Sequence, residues 1–589
     1  MRLNRLHKAR YMPGLDGLRA IAVLGIIIYH LNKQWLTGGF LGVDTFFVIS
    51  GYLITSLLLN EYNKNGTIDL KRFWIKRIKR LFPAVFFMIG VVLVYTLFFE
   101  PDSIVNFKND AIASIFYVTN WWFIFDNVSY FDQFEMKPFM HLWSLAIEEQ
   151  FYIFFPIVLL FLLKKVKKLN KIFTILFILS LVSLVLMIII FSITDNSSRV
   201  YFGTDTRLQT LLFGVLLSFI WPPFNLRQHP PKRVVMFIDI LGFISLALLI
   251  LCFFFITDKT GWIYNGGFYL ISLMTLFLIA ACAHPASKLA KLMGNKVFVY
   301  IGKRSYSLYL WHFPVITLLH NHFVKGQYPW YVYLLDILIM LALTEFSYNF
   351  IEKPIRKGGF KSFSINPVKV KRFVRTALTA LVLVPSILIL CGAFNHLGKD
   401  TAKKEKKQEF TSNQGNAEPK PPSKEGSGNE SEEEANYLLM GDSVMVDIGE
   451  RVKQDHPNAV IDGKVGRQLR DVIPLANNKY QKFNTENSKI ILELGTNGAF
   501  TKQEMDQLTQ AFDKAQIYVV TTRVPREYEA QVNTALHQVA DEKENVKLID
   551  WYKASEGHQE YFAHDGIHLE KPGIDRLAQL INEETEEKP

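Results

Sequence analysis

The sequence predicts a multi-pass α-helical membrane bundle of about eleven spans, then a tether, then a C-terminal α/β domain with a parallel sheet. Three observations carry that expectation. Long apolar runs recur through the first two thirds of the 589 residues, and half of the chain is hydrophobic. A polar stretch over 399–434 then breaks the composition. Beyond it, short apolar runs alternate with longer stretches of helical period.

Runs such as 172–191 and 234–256 are each long enough to cross a hydrocarbon core of ~30 Å at ~1.5 Å per residue. Eleven candidate spans follow, at 20–36, 41–59, 82–99, 142–163, 172–193, 208–222, 234–256, 265–283, 298–319, 331–350 and 374–396. The lipid bilayer is therefore an expected partner. The basic start (Arg2, Arg5, Lys8, Arg10) lacks a small-residue cleavage site after it, so it reads as the flank of a retained first helix. One set of connecting segments is strongly basic: the N-terminus, 71–80, 164–171, 227–233, 288–296 and 353–375. The other set holds isolated cations. The two sets do not alternate strictly, so at least one span assignment is expected to fail. The asymmetry places the N-terminus in the cytoplasm, and an odd number of spans places the C-terminal domain outside a bacterial cell membrane. The net charge of +11 is thus explained by loop placement, and nucleic acid is not an expected partner. Cys252, Cys282 and Cys391 all sit in apolar segments and imply no disulfide framework.

These features divide the chain into a membrane domain over 1–373, a last transmembrane helix over 374–398, a flexible linker over 399–435 and an exported domain over 436–589. The linker has almost no large apolar side chains and cannot bury enough surface to fold. In the last region the apolar runs 437–440, 490–494, 517–520 and 546–549 read as parallel strands joined by crossover helices. Catalytic residues are then expected in the loops leaving the strand ends.

The first such loop holds Gly441-Asp442-Ser443, where glycine permits a tight turn and the serine falls near a helix N-terminus. Asp-Ser also caps helices routinely, so the motif alone decides little. The next strand leads into Gly495-Thr496-Asn497, and Asp565-Gly566-Ile567-His568 precedes the final helix. Together these supply a nucleophile, an amide donor and a histidine with a carboxylate three residues away, which is what acyl transfer through a serine ester needs. The region resembles the SGNH family of hydrolases and transferases. That resemblance implies Ser443 as nucleophile, His568 as base and Asp565 as its orienting acid. It also implies an oxyanion hole from the Ser443 amide, the Gly466 amide and the Asn497 side chain, with Gly463 as the alternative glycine. No metal is expected.

In the membrane region, Arg19 and His30 are eleven positions apart and so share one helix face, roughly 16 Å apart along the axis. Arg19 also fits a cytoplasmic anchor. A histidine deep in an apolar span is costly and faces a cavity or partner. His141 and Glu148, with Glu149 beside it, repeat the pattern in the next acidic span, as do Asp44 and His312; a packing network between helices is the alternative reading. The order Arg19-x10-His30, Gly42-Val43-Asp44, Arg77-x2-Arg80, His141 to Tyr152, Tyr306 to His312 and Glu352-x-Pro354 resembles the acyltransferase-3 family of membrane acyltransferases across 10–360. The resemblance implies acyl groups taken from cytoplasmic acetyl-CoA and exported, with Arg19 and His30 central and Asp44, His141, Glu148, Glu149 and His312 assisting.

An acyltransferase-3 bundle followed by a tethered SGNH domain resembles the peptidoglycan O-acetyltransferases of Gram-positive cocci. That combination implies transfer to the C6 hydroxyl of N-acetylmuramic acid, which blocks lysozyme. A relay across the membrane is then required, and Tyr130 and Tyr201, in expected outer loops, are candidates. Interfacial belt tyrosines are the alternative. Teichoic acid or capsule as acceptor, or a transporter with a glycan-binding exported domain, stay open as rival readings, and oligomeric state is left undetermined.

Overall fold

The structure, a computed structural model, describes residues 10–126, 128, 130, 136–194, 196–258, 260–323, 328–398, 409–411, 436–526, 528–563 and 565–586. The chain divides into two compact units, the first ending at Gly398 and leaving out 320–328, which groups with the second.

The first unit is a helical bundle. Its long helices are α1 (Pro13–Leu31), α2 (Gly42–Asn65), α3 (Leu70–Phe99), α4 (Leu142–Lys165), α5 (Leu169–Thr194), α6 (Thr204–Ile220), α7 (Lys232–Phe255), α8 (Gly267–Ala283), α9 (Lys296–His320), α10 (Trp330–Phe346) and α11 (Val370–Leu390). Each expected span coincides with one of them. Among the described residues, eight helical segments are long and apolar enough to cross a membrane. α6 and α8, at 17 residues each, are too short by that measure, and α9 is also not among the eight. That accounts for a count of spans that is only approximate.

Close helix contacts organise the interior. A Cβ on Gly51 of α2 would come 2.0 Å from the Leu211 carbonyl oxygen of α6, and one on Gly214 would come 2.0 Å from that of Val48. Only glycine lets these two backbones touch. By contrast α5, α7, α10 and α11 present large apolar side chains outward, including Ile178, Phe237, Leu338 and Leu381. Such a continuous apolar exterior suits lipid rather than water. The bundle is thus that of a multi-pass membrane protein.

The second unit is an α/β domain. Among its described residues a six-stranded sheet has the order β1-β3-β2-β4-β5-β6, with β1 Glu409–Thr411, β2 Asn436–Gly441, β3 Val460–Lys464, β4 Ser488–Glu493, β5 Gln516–Val520 and β6 Val546–Ile549. β2 to β6 are all parallel, as expected of buried apolar runs joined by helices. β1 corrects the reading of 399–435 as wholly linker, because it pairs antiparallel with β3. The free edge of β3 offers unpaired backbone groups, and a short extended segment satisfies them. The rest of 399–435 lies outside the described residues.

The helices that matter for the site are α12 (Ser443–Asp455), α13 (Leu469–Asn478), α14 (Lys502–Gln510), α15 (Glu529–Glu542) and α16 (Lys571–Thr585). α12 buries Val444, Met445, Ile448 and Val452 along one face, and it packs on α16. The parallel strands aim their C-terminal ends at one edge of the sheet, so the loops after β2, β3 and β4 converge there.

Candidate active site

Ser443 is the first residue of α12, directly after β2. The Asp442 carboxylate caps this helix, with Oδ1 accepting from the Val444 amide at 3.1 Å. The turn is tight: a Cβ on Gly441 would lie 2.4 Å from Met445 Cβ and 2.7 Å from the Glu493 carbonyl oxygen. Ser443 is buried at 2% exposure. Its amide opens a helix, where the dipole favours negative charge.

The Asp565–His568 pair is formed as the spacing implies. Asp565 Oδ2 accepts from His568 Nδ1 at 2.5 Å, while Oδ1 accepts from the amides of Ile567 and His568 at 2.9 and 3.0 Å. One carboxylate thereby fixes both the loop and the ring, leaving Nε2 as the proton acceptor. Burial works against charge on the imidazole. The Asp565 hydrogen bond and the charges of Asp565, Asp447 and Asp442 outweigh it and raise His568 to about 9. Burial likewise opposes ionisation of Asp565, but the bond to His568, its charge and the two amides hold that carboxyl below its ordinary value. Among the described residues no hydrogen bond joins Ser443 to His568.

The third block is Thr496-Asn497. Asp442 Oδ2 accepts from both the amide and the hydroxyl of Thr496, at 3.1 and 2.7 Å. Asn497 Nδ2 donates to Thr496 Oγ1 at 3.0 Å, so the Ser443 turn and the Asn497 loop share one network. Gly466 lies in the loop beyond β3 with φ +77°, a conformation that favours glycine. Gly463 sits inside β3 opposite Gly441, and a Cβ there would meet the Val446 amide nitrogen at 2.9 Å.

Three supporting residues escaped the sequence reading. Arg467 is buried and donates Nη1 to the Gly441 and Asp462 carbonyls, at 3.2 and 2.6 Å, and Nη2 to Asp462 Oδ1 at 2.7 Å. Glu493, at the end of β4, accepts from the Met445 amide at 3.1 Å. Burial, then the charge of Asp442, push its carboxyl well above its ordinary value. Asp447 accepts from the Leu569 amide at 3.0 Å. The hint available for Arg467 was a lone arginine in the glycine loop.

In the bundle, a cavity of about 500 Å³ is lined by Arg10, Arg19, Arg77, Arg80, Lys303 and Arg356, with Glu148, Ser50, Ser144, Tyr152 and Tyr309. Arg19 pairs with Asp16 at 3.3 Å. Glu148 accepts from the hydroxyls of Ser50 and Tyr152. Glu149 is buried beside it. His30 does not line this cavity with Arg19. Its Nε2 lies 3.0 Å from the Tyr130 hydroxyl and its Nδ1 3.2 Å from His312 Nε2. His141 stacks on Phe313 and lies edge-on to His312, with ring centroids 5.3 and 5.6 Å away. The three histidines therefore form one group. Tyr309 links it to the cavity, since its hydroxyl donates to the His141 carbonyl at 2.9 Å and pairs with Ser144 at 2.6 Å.

Tyr130 and Tyr201 are both buried, at 2% and 0% exposure, rather than exposed in an interfacial belt, and their rings lie 4.9 Å apart. Tyr201 donates to the Phe40 carbonyl at 3.3 Å. Asp44 belongs elsewhere. Its carboxylate accepts from Arg207 Nη2 at 2.7 Å, with both side chains fully buried. Arg207, over the Phe268 ring at 4.0 Å, is a further residue missed in the sequence; its position at the very start of an apolar span was the available signal.

Comparison with known proteins adds the family. A family model described as an acyltransferase domain matches residues 12–345. The O-acetyltransferase OatA of Staphylococcus aureus (strain MRSA252) is 55% identical over 585 residues, covering 98% of this chain and 97% of that protein. A second O-acetyltransferase relative, from S. aureus (strain COL), is 54% identical over 595 residues and covers 98% of each chain. A solved structure of the C-terminal catalytic domain of Streptococcus pneumoniae peptidoglycan O-acetyltransferase A, with a methylsulfonyl adduct, is 20% identical with a TM-score of 0.23, covering 25% of this chain and 91% of that one. With a full-length match to OatA and an acyltransferase domain over more than half its residues, this chain belongs to the OatA family of membrane O-acetyltransferases.

Proposed function

We propose that the enzyme acetylates peptidoglycan, moving acetyl from cytoplasmic acetyl-CoA to the C6 hydroxyl of N-acetylmuramic acid through an acetyl-Ser443 intermediate, and so protects the wall from lysozyme. The observation that carries this reading is the Asp565–His568 pair, in the same domain as a serine at a capped helix N-terminus. The basic loops support an orientation with the N-terminus in the cytoplasm and the second unit outside.

At the donor end, Arg19, Arg77, Arg80, Lys303 and Arg356 supply the positive charge that a nucleotide's phosphates require. His30 is placed to take the proton of the Tyr130 hydroxyl. Tyr130 Oη then attacks the thioester carbonyl; the C–S bond breaks, a C–O bond forms, and the thiolate takes up the proton. His312 and His141 hold His30 in position. Tyr201, engaged with the Phe40 carbonyl, is the less suited relay.

At the acceptor end, His568 Nε2 takes the Ser443 hydroxyl proton as Oγ attacks the exported acetyl carbonyl. The amides of Ser443 and Gly466 and Asn497 Nδ2 stabilise the oxyanion, and His568 returns the proton to the leaving oxygen. In the second half the C6 hydroxyl attacks acetyl-Ser443 while His568 accepts its proton and passes it to Ser443 Oγ. Asp565 keeps the ring in the correct tautomer and stabilises the imidazolium.

The test uses the purified full-length enzyme with an activated acetyl ester and muroglycan oligomers. Wild type is expected to yield acetylated muramic acid, and Ser443→Ala to lose about 10⁴-fold or more in rate. Hydrolysis without transfer to the glycan would move the acceptor to another surface polymer. Undiminished turnover by Ser443→Ala would end the reading.

A further inference from the structure

The cation-lined cavity and the histidine group of the bundle meet at one residue. On α9, Ser305 and Tyr309 line the cavity from one helix face. The next residue on that face, His312, belongs instead to the histidine group, beside His30 at 3.2 Å. α4 makes the same change in the opposite direction. Its Tyr152, Glu148 and Ser144 line the cavity, whereas His141, one turn before Ser144, packs edge-on to His312. The border therefore runs between Ser144 and Tyr309, and these two are joined. Tyr309 Oη and Ser144 Oγ lie 2.6 Å apart, and Tyr309 donates to the His141 carbonyl at 2.9 Å. Tyr309 lines the cavity and also packs against His312 and His141, with ring centroids 5.2 and 5.5 Å away. Among the described residues that line the cavity, none is His30, His141, His312 or Tyr130.

A thioester whose phosphates sit among the cavity's cations thus meets the Tyr309 ring before its carbonyl can meet His30 and Tyr130. We propose that Tyr309 is a specificity-determining residue, the neck that the acyl end must pass, sized to admit acetyl and to refuse longer chains. This assignment rests on reading the cavity as the thioester site and Tyr130 as the acyl acceptor. The ring is buried and held at both ends. Its hydroxyl is tied to Ser144 and to the His141 carbonyl, and Phe46 packs on its face at 6.4 Å between centroids. A ring fixed in that way sets an opening of one size, because a close-packed interior resists extra methylenes unless its side chains move. One methylene in an apolar site discriminates by roughly ten- to two-hundredfold. Butyryl, with two more than acetyl, is therefore refused by the neck even though its nucleotide would bind the same cations.

The test supplies radiolabelled acetyl-CoA or butyryl-CoA to inside-out vesicles holding the full-length Ser443→Ala chain, in which the acyl group stays on the bundle. The readout is the ratio of butyryl to acetyl label on the protein. Tyr309→Leu, which shortens the side chain and keeps the site apolar, is expected to raise that ratio about tenfold or more. Tyr309→Phe keeps the ring and is expected to hold the ratio within about twofold of the parent. Ser144→Ala, a milder change that drops one tie of the ring, is expected to raise it about threefold. Fluorescence melting in detergent shows which variants are folded. A parental ratio in folded Tyr309→Leu overturns the assignment, and so does one in Ser144→Ala should the leucine variant not fold. Equal loss of both labels in folded Tyr309→Leu and Tyr309→Phe overturns it too, because the hydroxyl would then serve the chemistry rather than the size of the opening. Absence of acetyl label from the parent, or label that persists with Tyr130→Phe, is a separate result that removes the donor-end reading, and this assignment with it.

Discussion

At His568 two effects oppose each other. Burial disfavours the imidazolium, whereas Asp565, Asp447 and Asp442 favour it strongly enough to raise the group to about 9. The consequence for catalysis is directional, because a base must be neutral to accept the Ser443 proton. Ester hydrolysis by the second unit is therefore expected to rise with pH along a limb whose midpoint lies near pH 9, which rate measurements from pH 5 upward through that midpoint would reveal. A limb at the ordinary imidazole value of 6.5 would contradict it. The consequence for stability has the opposite sign. A histidine whose folded value is raised stabilises the fold fully below its unfolded value and loses that contribution as pH rises through about 9; Asp565, held low, loses its share only in acid. Thermal unfolding of wild type and His568→Gln should accordingly converge above pH 9. Much of this chemistry was legible, since Gly441-Asp442-Ser443 and Asp565-x-x-His568 are local motifs whose members touch within a few residues. Asp447 was not, because its partner Leu569 lies 122 positions away. Nor was the pairing of Asp44 with Arg207, 163 positions apart.

Among the elements, the ends of β2, β3 and β4 decide where the oxyanion would sit. The loop after β3 is held by a residue outside the candidate site. Arg467 bonds the glycine loop back to the Gly441 carbonyl and to Asp462, itself held by Lys479 at 3.3 Å and by the Tyr480 hydroxyl at 2.5 Å. Replacing Arg467 with Met would take from Asp462 its buried cationic partner, so a loss of about 3 kcal/mol in unfolding free energy is expected. Arg467→Lys should recover part of the stability but not the rate, because one ammonium cannot reproduce the forked contact to two carbonyls and a carboxylate. Denaturant unfolding and ester hydrolysis measured on the same samples would separate the two; equal rates in Arg467→Lys and wild type would show the fork to be dispensable. The strands and helices around this edge follow from short apolar runs and helical periods, which is why they could be read in advance. β1 could not, since an edge strand of three residues is fixed by the neighbour it pairs with. The short helices α6 and α8 show the same limit in the bundle. Both are largely buried, yet at 17 residues each they fall short of a full span, and α6 also carries Asp205 and Arg207.

On the scale of the whole molecule, the chain holds two sets of reactive groups in two separate compact units. One is the group of His30, His312, His141 and Tyr130 beside a cation-lined cavity; the other is Ser443 with His568 and Asp565. If the first set only loads and exports acetyl and the second only transfers it, damage to one should leave the chemistry of the other intact. Tyr130→Phe removes the hydroxyl that faces His30 while keeping the ring that packs against Tyr201 and Trp143. The full-length variant is expected to react with phenylmethylsulfonyl fluoride at Ser443 and to hydrolyse p-nitrophenyl acetate at wild-type rates. In cells the same variant should lose most acetate from the wall, by at least about tenfold, since the exported domain then receives no acetyl group. Ser443→Ala should give the complementary pattern, with acetyl trapped on the bundle after supply of radiolabelled acetyl-CoA to inside-out vesicles. Label on Tyr130 in Ser443→Ala, absent in the double variant with Tyr130→Phe, would establish the order of the two steps. Full wall acetylation by Tyr130→Phe would instead require that the acetyl group cross by another residue, and Tyr201, whose tilted ring packs beside it at 4.9 Å, is the one to change next.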